Sequence, residues 1–239
     1  MVQVSGFFDF IGTLAHYDGL NQPVIRLNKR HAFLIDAFRT EIAGARVLDL
    51  AAHDGRWSYA FAGAGAAEVV GIEARQELVD LFDTYPDPVL RAVVDLRCGD
   101  IFDGLEAEIA KGARYDVVAV LGILYHIMDH FRLFQLIRKL GPKLVIVDSE
   151  FMLRDAPMIQ LVRERTDNIL NAAPQIAGQE IAIKGVPSFA AMEVIADVLA
   201  YELTWSDWEE LPKGRREGVA DYYREQKMRR ATCVLRPRG

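Results

Sequence analysis

Short apolar, β-compatible runs recur near residues 46, 69, 94, 116 and 144, and stretches with helical spacing separate them. Alternation of this kind predicts an α/β fold in which helices wrap both faces of a parallel sheet. Arg30 to Ile42 brings Phe33, Leu34, Ala37, Phe38 and Ile42 to one side, so a helix is expected to lead into the first strand. Residues 1 to 28 mix aromatic and apolar positions without a clean period and predict a short helical cap. Beyond Asp148 the pattern changes, because Met152 to Val186 is too long for a simple crossover and carries two helix-like stretches around the turn signal Ala173-Pro174. Pro187-Ser188 caps a helix running to Ala200, after which Glu202 to Trp208 and Ala231 to Arg236 read as the last two strands. One domain is expected, with a cap at 1–40, a core at 41–150, an insertion on the substrate side at 151–187 and a C-terminal helix and strands at 188–239.

The densest segment runs from Arg46 to Arg75 and reads strand, tight turn, helix, strand, acid. Small residues in the turn Ala51-Ala52-His53-Asp54-Gly55 let the backbone approach a ligand, and the carboxyl end of a parallel strand is where such ligands sit. Glu73 closes the second strand, where an acid can accept both hydroxyls of an unphosphorylated ribose. The turn is not GxGxxG, which argues against a nicotinamide oxidoreductase, and it lacks the Lys and Ser/Thr of a P-loop. A cofactor with ribose and adenine but little phosphate fits better.

These residues resemble the class I S-adenosylmethionine (SAM)-dependent methyltransferases, whose first motif is D/E-x-G-x-G-x-G. The chain has Asp49-Leu50-Ala51-Ala52-His53-Asp54-Gly55, so Ala51 and His53 replace two of the three glycines. LRCGDIFDGL, Leu96 to Leu105, is similar to the family's adenine motif, with Asp100 as acceptor for the exocyclic amine and the Ile101 amide facing the ring. YDVVAVLGILYHI, Tyr115 to Ile127, resembles the fourth strand, and KLVIVDSEF reads as the fifth. The resemblance implies a three-layer Rossmann-like fold with a mostly parallel seven-stranded sheet and an antiparallel last strand. It implies SAM as cofactor, S-adenosylhomocysteine (SAH) as product, and a cofactor site of Asp49, Ala51, His53, Gly55, Glu73, Ala74, Asp100, Ile101, Leu121 and Tyr125. Around GILYH, with Leu133, Gln135 and Leu136, there is a local resemblance to the tRNA wobble-uridine carboxymethyltransferases.

Composition narrows the partners. With 239 residues, 51% of them apolar, the chain can bury a sizeable core. Its net charge of −6 argues against broad attraction to nucleic acid, although Lys213 to Arg230 holds seven basic residues against three acidic ones. A small-molecule acceptor is therefore preferred to tRNA, with a non-catalytic SAM-binding protein as a further alternative. Cys98 and Cys233 fall in predicted strands and are expected to be buried free thiols. The first residues lack the pattern of a secretory signal and no apolar run approaches a membrane span, so a cytoplasmic protein is expected. Phe7, Phe8 and Phe10 suit either a homodimer contact or a lid.

Methyl transfer from a sulfonium needs in-line geometry, desolvation and sometimes a base. His126, directly after the fourth strand, is the candidate base, and a packing role is its alternative. His126, Asp129 and His130 spell H-x-x-D-H, but no third remote ligand is identifiable and no metal is expected. Asp148 and Glu150 either face the substrate or serve as solvated or capping acids. His53 either orients a cofactor carboxylate or is a polar residue tolerated in a turn.

Overall fold

The computed structural model describes residues 6–18, 21–168 and 171–238. Seven strands form one sheet in the order β3-β2-β1-β4-β5-β9-β8. Strands β1 (Arg46–Leu50), β2 (Glu68–Glu73), β3 (Val94–Cys98), β4 (Val117–Leu121) and β5 (Leu144–Met152) pair in parallel. β9 (Met228–Pro237) runs antiparallel between β5 and β8 (Tyr201–Trp205). The order reverses at β1, between β2 and β4, which opens a crevice above the carboxyl ends of these three strands.

β4, Val-Val-Ala-Val-Leu, is buried along its whole length, as a strand covered on both faces must be. Alternation along the central strands divides the core in two. Val47, Val69, Val117 and Ile146 face Phe8, Leu34, Trp57 and Phe61, whereas Leu48, Val70, Val118 and Val145 face Leu105, Phe134, Ile137 and Met192. Three of the longer helices start on side-chain caps: Asp100 accepts from Phe102 N and Asp103 N before Ile101–Ala110, Asp129 from Arg132 N before His130–Lys139, and Ser188 from Ala191 N before Phe189–Val198.

The N-terminal segment is helical, with short 3-10 turns Phe7–Thr13 and Ala15–Tyr17 and a helix Asn21–Leu34, so the regular helix lies earlier than the spacing of Arg30 to Ile42 suggests. Phe8 is buried in the core, and Phe7 and Phe10, half-buried, pack against it with Trp57, Tyr59 and Tyr85.

The insertion departs from expectation. In place of two helix-like stretches it forms an antiparallel hairpin of β6 (Ile159–Arg165) and β7 (Ile181–Pro187), a separate two-stranded sheet. Cys98 is exposed, unlike buried Cys233, because β3 is the sheet's edge strand. No helix among the described residues is long and apolar enough to cross a membrane.

Candidate functional site

The turn after β1 is built from left-handed residues. Ala51, His53 and Gly55 have φ of 57°, 56° and 79°, so each of the three positions that hold glycine in the motif takes the conformation glycine favours. At Gly55 space is restricted as well, because an added Cβ would lie 2.4 Å from Phe82 Cδ2. Ala52 N donates to Ile72 O at 2.9 Å, stitching the turn to β2. The Glu73 carboxylate supports it from the side, accepting from His53 N at 2.9 Å and Arg75 N at 3.1 Å. One N–H on each oxygen leaves acceptor capacity on both.

Asp49 lies beneath this turn, 1% exposed, and accepts from Ser58 Oγ at 2.8 Å. Burial pushes its carboxyl up to about 7; the neighbouring Glu73 adds to the rise and Ser58 opposes it. Asp54, also buried, is the hub that fastens the N-terminal cap over the turn. It accepts from Tyr17 Oη at 2.6 Å and Arg56 Nε at 2.7 Å, with His53 Nδ1 3.2 Å and His16 Nε2 3.4 Å away. Burial disfavours its charge, yet Arg56 and the two histidines hold it well below the usual carboxylate range. His53 also touches Arg56, so its imidazole is engaged on the protein side of the turn.

Around the crevice, Asp100 is exposed and uses Oδ1 for its cap, and Ile101 is buried against Leu48 and Leu50. Ala74 is exposed beyond β2. Leu121 ends β4, buried, and the chain then turns at Gly122 with φ 100°. Tyr125 is half-buried, its ring 4.1 Å from that of His126.

His126 is buried, and its Nδ1 lies 2.7 Å from Glu164 Oε1 on β6. A carboxylate at Nδ1 fixes the proton there and leaves Nε2 with the lone pair. Burial lowers the histidine's pKa against the opposing pull of Glu164, so the imidazole is neutral at pH 7. Glu164 also accepts from Ala172 N at 3.0 Å, and Lys184 Nζ stands 2.9 Å from its Oε2 as an ion pair outside hydrogen-bond angles. His130 points elsewhere: Nε2 lies 2.9 Å from Leu124 O and 3.0 Å from Gly185 O and must donate. Asp129 is a helix cap, so the three residues of H-x-x-D-H serve separate tasks.

The loop between β6 and β7 is tied down over β2, with the Arg75 guanidinium donating to Asn171 O at 3.1 Å and to Thr166 O and Asn168 O at 3.4 Å. Asp148 does not face open space, being fully buried in β5 and bound by Arg30, Arg230, Tyr222 and Thr232, and Glu150 pairs with Arg224 at 3.0 Å. Glu164, Arg30, Arg230 and Tyr17 are thus brought to the crevice from segments whose sequence carries no motif. Depressions of about 310 Å³, beside Tyr201 and Trp205, and about 420 Å³, beside Asp116 and Lys143, lie away from this crevice.

No protein-family model and no curated protein matches the sequence. Solved structures do match in fold. The N-terminal domain of EvdMO1, crystallised in the presence of SAH and D-fucose, shares 17% identity over 85% of this chain and 81% of that one, with a TM-score of 0.63. A SAM-dependent methyltransferase from Mesorhizobium loti shares 14% over 83% and 96%, at 0.55. The [4+2]-cyclase SpnF shares 16% over 93% and 85%, at 0.57. The fold is the Rossmann-like fold of class I SAM-dependent methyltransferases.

Proposed function

We propose that the protein transfers a methyl group from SAM to an oxygen or nitrogen of a small-molecule acceptor and releases SAH. The observation that carries this reading is the turn above β1, where Ala51 and His53 keep the left-handed backbone of glycines and Glu73 is held beside them with spare acceptor capacity. A strained backbone at non-glycine positions persists where the surroundings enforce it, and such strain concentrates at ligand sites.

In this reading Ala51, His53 and Gly55 receive the amino-acid end of the cofactor, and Asp49 supports them from below. Glu73 accepts from the ribose hydroxyls, with Ala74 beside it. Asp100 and Ile101 border the adenine, and Leu121 and Tyr125 border the reacting end. When bound, SAM supplies a methyl group already activated on a sulfonium, so the chain's own task is positioning and proton removal. His126 Nε2 takes the acceptor's proton, and Glu164 keeps the imidazole in the tautomer that allows it. The hairpin and the N-terminal cap wall the acceptor from water.

A small acceptor is favoured over tRNA because the basic segment is partly spent inside the protein: Arg216 pairs with Glu209, Arg224 with Glu150 and Arg230 with Asp148. The D-fucose present with the EvdMO1 domain fits the same class.

Replacing Glu73 by alanine should weaken SAM binding by about 1–3 kcal/mol, the worth of charged hydrogen bonds. Unchanged affinity in a variant with a native circular dichroism spectrum would remove the ribose assignment.

A further inference from the structure

At the carboxyl end of β5 two guanidinium groups share one carboxylate. Asp148 Oδ1 accepts from Arg30 Nη2 at 2.8 Å and from Arg230 Nε at 2.6 Å, while Oδ2 accepts from Tyr222 Oη at 2.6 Å and Thr232 Oγ1 at 2.7 Å. The two arginines are 7% and 6% exposed, and Asp148 is fully buried. Tyr222 adds no negative charge, because burial raises its pKa. Arg26 and Asp221, alongside, form a bidentate pair at 2.7 Å and cancel. Glu150 is engaged by Arg224. The cluster therefore holds one positive charge more than its carboxylate neutralises, and burying an uncompensated charge is costly.

Its position matters as much as its charge. Arg230 Nη2 lies 3.4 Å from where a Cβ on Gly122 would be, and the Arg230 guanidinium stands 5.8 Å from the Tyr125 ring centre. Arg30 stacks at 4.9 Å over Trp57, in the first turn of the helix Arg56–Gly63 that follows the strained turn. Among the described residues Nη1 of neither arginine has a protein acceptor. Two cations locked in orientation by Asp148, flanked by Tyr125 and Trp57, form a fork suited to a planar or tetrahedral anion.

We propose that Arg30 and Arg230 bind a carboxylate or phosphate carried by the methyl acceptor, which makes the acceptor a small organic acid; this rests on the methyl-transfer reading above. Asp148 is then a positioning residue, and the anion supplies the missing counter-charge.

The test is calorimetric titration at constant ionic strength, with SAH-saturated and SAH-free protein, using benzoate and inorganic phosphate as anionic probes and benzamide as the neutral control. Saturable anion binding is expected with no benzamide binding, roughly tenfold weaker in Arg230→Gln and partly restored in Arg230→Lys, while SAH affinity stays within about twofold. Wild-type binding of benzoate over benzamide decides the matter even if Arg230→Gln does not fold. Absence of saturable anion binding in a wild-type protein that binds SAH would overturn the arginine site alone. Loss of SAH affinity together with the anion's in Arg230→Gln would assign the fork to the cofactor and overturn the proposal. Failure of the wild type to bind SAH would overturn the methyl-transfer reading and with it the acceptor's role.

Discussion

At the scale of single residues, Ala51 and His53 do work usually left to glycine. A left-handed conformation costs an L-residue about 1–2 kcal/mol, and glycine's extra freedom in the unfolded chain returns about 0.4–1 kcal/mol of that gain. Ala51→Gly should therefore stabilise the protein by less than ~1 kcal/mol and raise Tm by about 2 °C; a lowered Tm in differential scanning calorimetry would contradict the strain. Asp49 gives a pH signature. Its folded pKa of about 7 exceeds the unfolded value of 3.8, so the native state holds a proton that the unfolded chain has lost. Stability consequently falls as pH rises across that window, by an order of ~4 kcal/mol at most. Urea denaturation at pH 5 and pH 8 should show this difference in the wild type, and Asp49→Asn should remove it; equal slopes in both would sink the assignment. Asp49 and Glu73 were legible because motif position and strand end announce them. The Asp54 hub was not, since its partners His16 and Tyr17 stand far off in the chain and no local pattern marks them.

At the scale of elements, β1, β2, β4 and β5 were readable from apolar runs, because burial on both faces leaves nearly continuous apolar sequence, whereas the edge strand β3, Val-Asp-Leu-Arg-Cys, alternates. The hairpin was not readable. Its outer face carries Ile159, Leu161, Ile181 and Ile183, all exposed, while its inner face carries Glu164 and Lys184. Both faces mix polar and apolar residues, with Ala182 and Val186 buried beside Glu164 on one and Arg163 and Arg165 exposed beside the isoleucines on the other, so no clean alternation marks the strands. The buried polar member, Glu164, is the one that meets His126. His126→Ala should lower turnover on the order of 100-fold with SAM affinity retained. Glu164→Gln should lower turnover less and move the acid limb of the kcat profile to lower pH, since the carboxylate supports the imidazolium and its loss depresses the histidine further. A loss of Tm with an unmoved pH profile in Glu164→Gln would make the pair structural.

At the scale of the whole molecule, the strand order places β1, β2 and β4 side by side, so the turn after β1, Glu73 at the end of β2 and Gly122 after β4 lie at neighbouring strand ends. The N-terminal cap is fastened to the turn through Tyr17 and Asp54, and the hairpin to His126 through Glu164. The fold alone does not choose the reaction, for the similar structures include both a methyltransferase and a [4+2]-cyclase. The ligand does choose between the leading cofactor classes. Calorimetric titration of cofactor-stripped protein with SAM, SAH and NAD in parallel tests this most directly. Micromolar binding of both adenosyl ligands, about −8 kcal/mol, is expected, and none of NAD. Binding of NAD alone, or of none of the three, would contradict it.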